Sequence, residues 1–184
     1  MTNGQVFIKM TGDVSISSGD NRRRSSLLGT CCIKGPCKLV QMNGTQLAED
    51  STNPLSNVNS NTFDLDMTID VSVATEVALE LCKGVKEQIL LRYDVRDNVM
   101  TLEVDDASGV SKYTLSASVM PIDGRLTVHA IFDKSILEVF VNGGEQSFHG
   151  FAFPAKGSTG MSLSVSGNAM LDSLTVWEMG TMHK

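Results

Sequence analysis

From Phe63 onward the chain alternates between apolar and polar side chains. Phe63, Leu65, Met67, Ile69 and Val71 interleave with Asp64, Asp66, Thr68 and Asp70. Successive side chains of a strand point to opposite faces, so this period of two describes a ribbon with one buried face and one acidic face in water. The pattern recurs at Val77, Leu79 and Leu81, at Ile89, Leu91 and Tyr93, and at Met100, Leu102 and Val104. It returns at Leu126, Val128, Ala130 and Phe132, at Leu137, Val139 and Val141, at Met161, Leu163 and Val165, and at Leu174 and Val176. Turn signals stand between these runs: Lys83-Gly84, Asp97-Asn98, Asp123-Gly124, Lys156-Gly157 and Gly167-Asn168. Strands at a spacing of about ten residues, joined by Gly, Asn and Asp turns, predict an all-β fold of two packed antiparallel sheets.

The chain before Phe63 is less regular. Short β-like runs at Val6–Met10 and Val14–Ser17 precede the polar stretch SSGDNRRRSS and the run Leu27–Ile33. Arg22-Arg23-Arg24-Ser25 reads as a solvated turn, with a kinase or protease target as the sharper alternative. Residues 43–61 are rich in Asn, Ser and Thr and predict a long irregular connection. Asn43-Gly44-Thr45 is a glycosylation sequon, relevant in a eukaryotic secretory setting. The expected division is an N-terminal segment of edge strands over 1–45 and a β-sandwich over 46–184.

A net charge of −6 and a pI near 5.0 argue against nucleic acid and anionic membrane surfaces as partners. No apolar run approaches the roughly 20 residues of a membrane helix. The N-terminal MTNGQVFIKM lacks the apolar core of a signal peptide, so the expectation is a protein that stays in the cell or a piece of a longer secreted chain. Cys31, Cys32 and Cys37 cluster, and Cys82 stands apart. Adjacent cysteines chelate zinc poorly. A disulfide such as Cys37–Cys82 or Cys32–Cys37 competes with buried free thiols.

The most specific wording lies at residues 126–154. Runs Leu126–Phe132 and Ile136–Val141 flank Asp133-Lys134-Ser135, and the turn Asn142-Gly143-Gly144 follows. Gly and Asn tolerate the positive φ that such hairpin turns need. The stretch Ile131-Phe132-Asp133-Lys134-Ser135, Glu138-Val139-Phe140-Val141-Asn142 and Gly144-Glu145 resembles the signature hairpin of the C-terminal β-sandwich in glycoside hydrolase family 32, the invertase, levanase and inulinase family. The resemblance extends from Phe63-Asp64-Leu65-Asp66 through Ile89–Asp94, Val99–Val104 and Phe153-Pro154 to Ser173–Met179. It implies a lectin-like, concanavalin A-type jelly roll that accompanies a catalytic propeller.

In that family, hydrolysis uses two carboxylates of the propeller, about 5 Å apart in a retaining enzyme. The family carries them in Asn-Asp-Pro-Asn and Glu-Cys motifs, with Arg-Asp-Pro between. Here Asn53-Pro54 lacks the Asp, Arg96-Asp97 is followed by Asn98, and no Glu precedes a Cys. His129, His149 and His183 are scattered along the chain. Asp105-Asp106 and Asp94-x-Arg96-Asp97 read as solvated charges, with calcium in such a turn as the alternative. The sequence therefore predicts an accessory domain, not an enzyme, with no catalytic residue, metal or cofactor.

Two functions compete. The first is a non-catalytic module that binds a fructose-containing saccharide. Its candidate binding residues are Arg92, Asp94, Asp133 and Glu138. For Asp133, turn capping through its side chain is the plainer role. Aromatics are only 5% of the chain, so binding would rest on hydrogen bonds and not on a stacking platform. The second is a structural module that braces a propeller domain or self-associates as a homo-oligomer. Its surface would draw on the methionines and on Phe140, Phe148 and Phe151, expected to face solvent.

Overall fold

The computed structural model describes residues 36–180, apart from Lys86, Ala107, Ser108 and Val110. The Arg22–Ser25 stretch, the runs before it, and Cys31 and Cys32 lie outside the described residues. Ten strands follow one another: β1 (Cys37–Ala48), β2 (Thr62–Asp70), β3 (Ala74–Lys83), β4 (Gln88–Asp94), β5 (Val99–Asp105), β6 (Lys112–Ser118), β7 (Arg125–Asp133), β8 (Ile136–Val141), β9 (Gln146–Phe151) and β10 (Gly160–Glu178). All pairings are antiparallel, as the pattern predicts. Sheet A has the order β1-β10-β2-β7-β8-β9, and sheet B the order β10-β3-β4-β5-β6.

The two sheets face each other across one core. Met67, Ile69, Leu126 and Val128 of sheet A and Val77, Leu79, Leu91, Tyr93 and Met100 of sheet B surround a gap of only about 10 Å³. Phe63 and Phe132 stack across β2 and β7 with ring centroids 5.9 Å apart. The apolar residues of every alternating run are buried, so the period of two did report the inner face.

Strand β10 belongs to both sheets. Residues Gly160–Gly167 pair with β3, and Met170–Glu178 pair with β2 on one side and β1 on the other. The turn expected at Gly167-Asn168 is not formed: one strand passes through. The register with β3 shifts between Ser166 and Gly167, and the pairing to β1 begins at Asn168. The chain turns the corner without losing its ladder. Gly167 has φ +85°, and a Cβ there would sit 3.0 Å from the Val73 carbonyl oxygen, so the corner needs glycine.

Two further expectations are corrected. Residues 43–48 are not irregular but complete β1, pairing with Ser173–Asn168 of β10. Their polar side chains suit an edge strand, which hid the pattern; Leu47 is the buried residue there. The boundary drawn at 45/46 falls within this strand. Asp106 is not a solvated charge: it is buried, and its Oδ2 accepts a hydrogen bond from the Phe153 amide at 3.0 Å. Buried Glu87 does the same for the Ala155 amide at 2.9 Å and accepts from the Ser158 hydroxyl. These two carboxylates pin the segment that leads into β10.

In the signature hairpin, Leu137, Val139 and Val141 are fully buried, while Ile136 is half exposed. Phe151 faces solvent and Phe140 is half-buried, but Phe148 is 4% exposed, against expectation. The reason is register: Phe148 lies opposite Val139 and shares its inward face. Cys37 and Cys82 are free thiols, so no Cys37–Cys82 bridge forms. Cys82 is buried at a positive φ of 49° next to a register shift in the β3–β10 pairing.

Two outcomes follow from this packing. Val139→Asp should lower the unfolding free energy by about 3–5 kcal/mol, since a carboxylate would be buried unpaired; an unchanged thermal midpoint would contradict the assignment. Burial pushes the Cys82 thiol up to about 12. At pH 8 it is therefore protonated as well as shielded. Peptide mapping after iodoacetamide treatment of the folded chain should leave Cys82 unlabelled until denaturant is added.

Candidate functional site

The side chains that leave sheet A on its outer face come from alternate positions of four adjacent strands. Asp64, Asp66 and Thr68 stand on β2, Thr127 and His129 on β7, Glu138 and Phe140 on β8, and Ser147 and His149 on β9. Register aligns them. Asp66 lies opposite His129, His129 opposite Phe140, and Phe140 opposite Ser147. One rung along, Glu138 lies opposite His149. Cross-strand neighbours of this kind approach within about 5 Å, close enough for direct contact.

The contacts follow that grid. His129 Nε2 is 2.8 Å from Asp64 Oδ1. The Phe140 ring lies between the two imidazoles, 6.0 Å from His129 and edge-on to His149 at 5.7 Å. His149 Nδ1 is 3.5 Å from Glu138. Asp64, Asp66 and His129 each offer a donor atom within 4.8 Å of the others.

A cleft of about 350 Å³ opens beside this group, lined by Asp66, Thr68, Thr127, His129, Phe140 and Ser173 among others. Its far wall is the turn Gly143-Gly144. Asn142 fixes that turn: its Nδ2 donates to the Met120 carbonyl at 2.8 Å, and its Oδ1 accepts from the Thr127 amide at 3.3 Å. Beyond the cleft, Arg125 donates to Asp172 at 2.6 Å and lies 4.0 Å from Asp70. Hydrogen bonds from Ser72 hold the Asp70 carboxyl below the usual carboxylate range. At that end of the face the one guanidinium is shared between two carboxylates.

The residues named from the sequence fall in two places. Asp133 and Glu138 are on the outer face of sheet A, at the margin of the grid. Arg92 and Asp94 are on the outer face of sheet B. Arg92 Nε is buried and 3.7 Å from Glu76, too far for a hydrogen bond. Asp94 is engaged in its turn, where Oδ1 accepts the amides of Arg96 at 2.8 Å and Asp97 at 3.1 Å. At the signature turn, the Ser135 amide bonds instead to the Asp133 backbone carbonyl at 2.7 Å.

Asp64, Asp66, His129, Phe140 and His149 were not singled out as a site. Their parity was legible, since each is out of phase with a buried run. Register between strands distant in sequence was not, so histidines 20 residues apart in sequence looked scattered.

Comparison with known proteins agrees with this architecture. The family described as "Glycosyl hydrolases family 32 C terminal" matches residues 36–178. A sucrose-6-phosphate hydrolase of Streptococcus mutans is 32% identical over 106 residues, which is 55% of this chain and 22% of that protein. The chain thus spans about a fifth of that relative. The exo-inulinase of Aspergillus awamori superposes with a TM-score of 0.68 at 20% identity, covering 78% of this chain and 29% of that one. The β-fructofuranosidase of Schwanniomyces occidentalis gives 0.63 at 14% identity, covering 79% and 34%. With the two-sheet fold, the signature hairpin and a match running from before β1 to the end of β10, the chain belongs to the glycoside hydrolase family 32 C-terminal domain family.

Proposed function

We propose that this chain is a non-catalytic module of a fructan- or sucrose-hydrolysing glycoside hydrolase, and that it binds a fructose-containing saccharide on the outer face of sheet A. The cleft carries this reading. Its carboxylate (Asp66), imidazole (His129) and hydroxyls (Thr68, Thr127, Ser173) supply acceptors and donors suited to a polyol, and Phe140 supplies an apolar surface for sugar C–H groups. Glu138 and Asp133 extend the polar margin, while Arg92 and Asp94 would belong to a separate patch on sheet B. Each sugar hydrogen bond contributes about 1 kcal/mol net, so affinity should fall between millimolar and high micromolar.

A second reading, a brace for a catalytic propeller, is favoured by a different surface. Ile136 and Phe151 are cross-strand partners and are 51% and 60% exposed, with Phe153 beside them in sequence at 43%. Apolar side chains gathered at one end of a sheet suit the seat of another domain.

Titration of the chain with levan oligosaccharides, followed by amide shifts, separates the readings. Shifts should centre on His129, Phe140 and Gly143, and the chain should release no fructose from sucrose, levan or inulin. Shifts confined to β4 would move the site to Arg92 and Asp94. No shifts at all would leave the brace, and fructose release above a blank would overturn the non-catalytic assignment.

A further inference from the structure

We propose that Asp64, Asp66 and His129 form a binding site for a divalent transition-metal ion of zinc's class. The group has the layout that β-sheets offer to such ions. Asp64 and Asp66 are two residues apart on β2 and so project from one face, and His129 reaches the same point from β7, directly opposite Asp66. Their donor atoms lie within 4.8 Å of one another. In a tetrahedral zinc site the ligand atoms stand about 3.3 Å apart, with metal–ligand bonds near 2.0–2.2 Å. Side-chain rotation alone can close that difference, because Asp64 and His129 are about two-fifths exposed and not locked by packing.

Charge points the same way. Among the described residues, the Asp66 carboxylate has no hydrogen-bond or ion-pair partner, and the Asp64 carboxylate is bonded to His129. Arg125, the cation further along this face, is committed to Asp172 and Asp70. Two carboxylates held this close repel one another, and a dication at their junction removes the repulsion. The 2.8 Å contact to Asp64 already orients the imidazole toward that junction. One imidazole nitrogen with two carboxylates selects for zinc and its neighbours, whereas calcium takes six to eight oxygen ligands. The cleft that Asp66 and His129 line leaves room for water at the fourth position. His129, which looked isolated in the sequence, thus gains a role that the expectation of no metal did not foresee. The site does not depend on whether the cleft takes sugar, and its test contains none.

The test is a zinc chloride titration of the full chain, reading the histidine ring protons by NMR and the stoichiometry by calorimetry. His129→Gln and Asp66→Asn alter surface side chains, so both variants should melt without metal as the parent does. Zinc should shift or broaden the His129 ring signals first, and each variant should bind at least tenfold more weakly. His149→Gln should leave the affinity unchanged. Calcium at the same concentration should not compete. Unmoved His129 signals at millimolar zinc, undiminished binding in His129→Gln, a response centred on His149, or displacement by calcium would each overturn the assignment.

Discussion

A strand that belongs to two sheets sets the form of this molecule. β10 pairs with β3 through its first half and with β1 and β2 through its second, and the change of partner happens at Gly167. Two sheets held only by side-chain contact could slide, since apolar burial is non-directional. A continuous ladder around a corner removes that freedom and fixes which face of each sheet points inward. The cost is conformational: the corner residue adopts φ +85° with the Val73 carbonyl close by, which only glycine does without strain.

With the inner faces fixed, the outer face of sheet A follows. Side chains at alternate positions of β2, β7, β8 and β9 are forced outward, and the hairpin turns decide their alignment. Lys134 at φ +59° closes the β7–β8 connection, and Asn142, Gly143 and Gly144, all at positive φ, close β8–β9. A shift of one residue in either pairing would bury His129 or Phe140 and expose Val139. The cleft and the carboxylate–histidine group are thus consequences of register, positioned by a hydrophobic core that has no chemistry of its own.

Much of this was legible from the residues. The alternation from Phe63 to Val71 and its repeats gave the strands, their inward faces and the all-β class, because a period of two has one structural meaning. The signature hairpin gave the family. Three features were hidden, each for a physical reason. β1 is an edge strand whose polar side chains break the alternation. Gly167-Asn168 has turn composition, yet the ladder continues through it because a new partner takes over at once. Asp106 and Glu87 look like ordinary surface acids until the segment 152–159 folds over them and donates its amides. As for the candidate binding residues, sequence could place Arg92 and Glu138 on outer faces but not on which sheet, and that choice depends on pairings between strands far apart in the chain.

Native-state hydrogen exchange on the parent chain and on Gly167→Val tests the coupling through β10 most directly. Amides of β4 in sheet B and β7 in sheet A should share one opening free energy in the parent. The substitution should lower both by the same amount, on the order of 1–2 kcal/mol for a β-branched residue in the left-handed region. Separate opening free energies for the two sheets, or a loss confined to one of them, would contradict a sandwich held together by a single continuous strand.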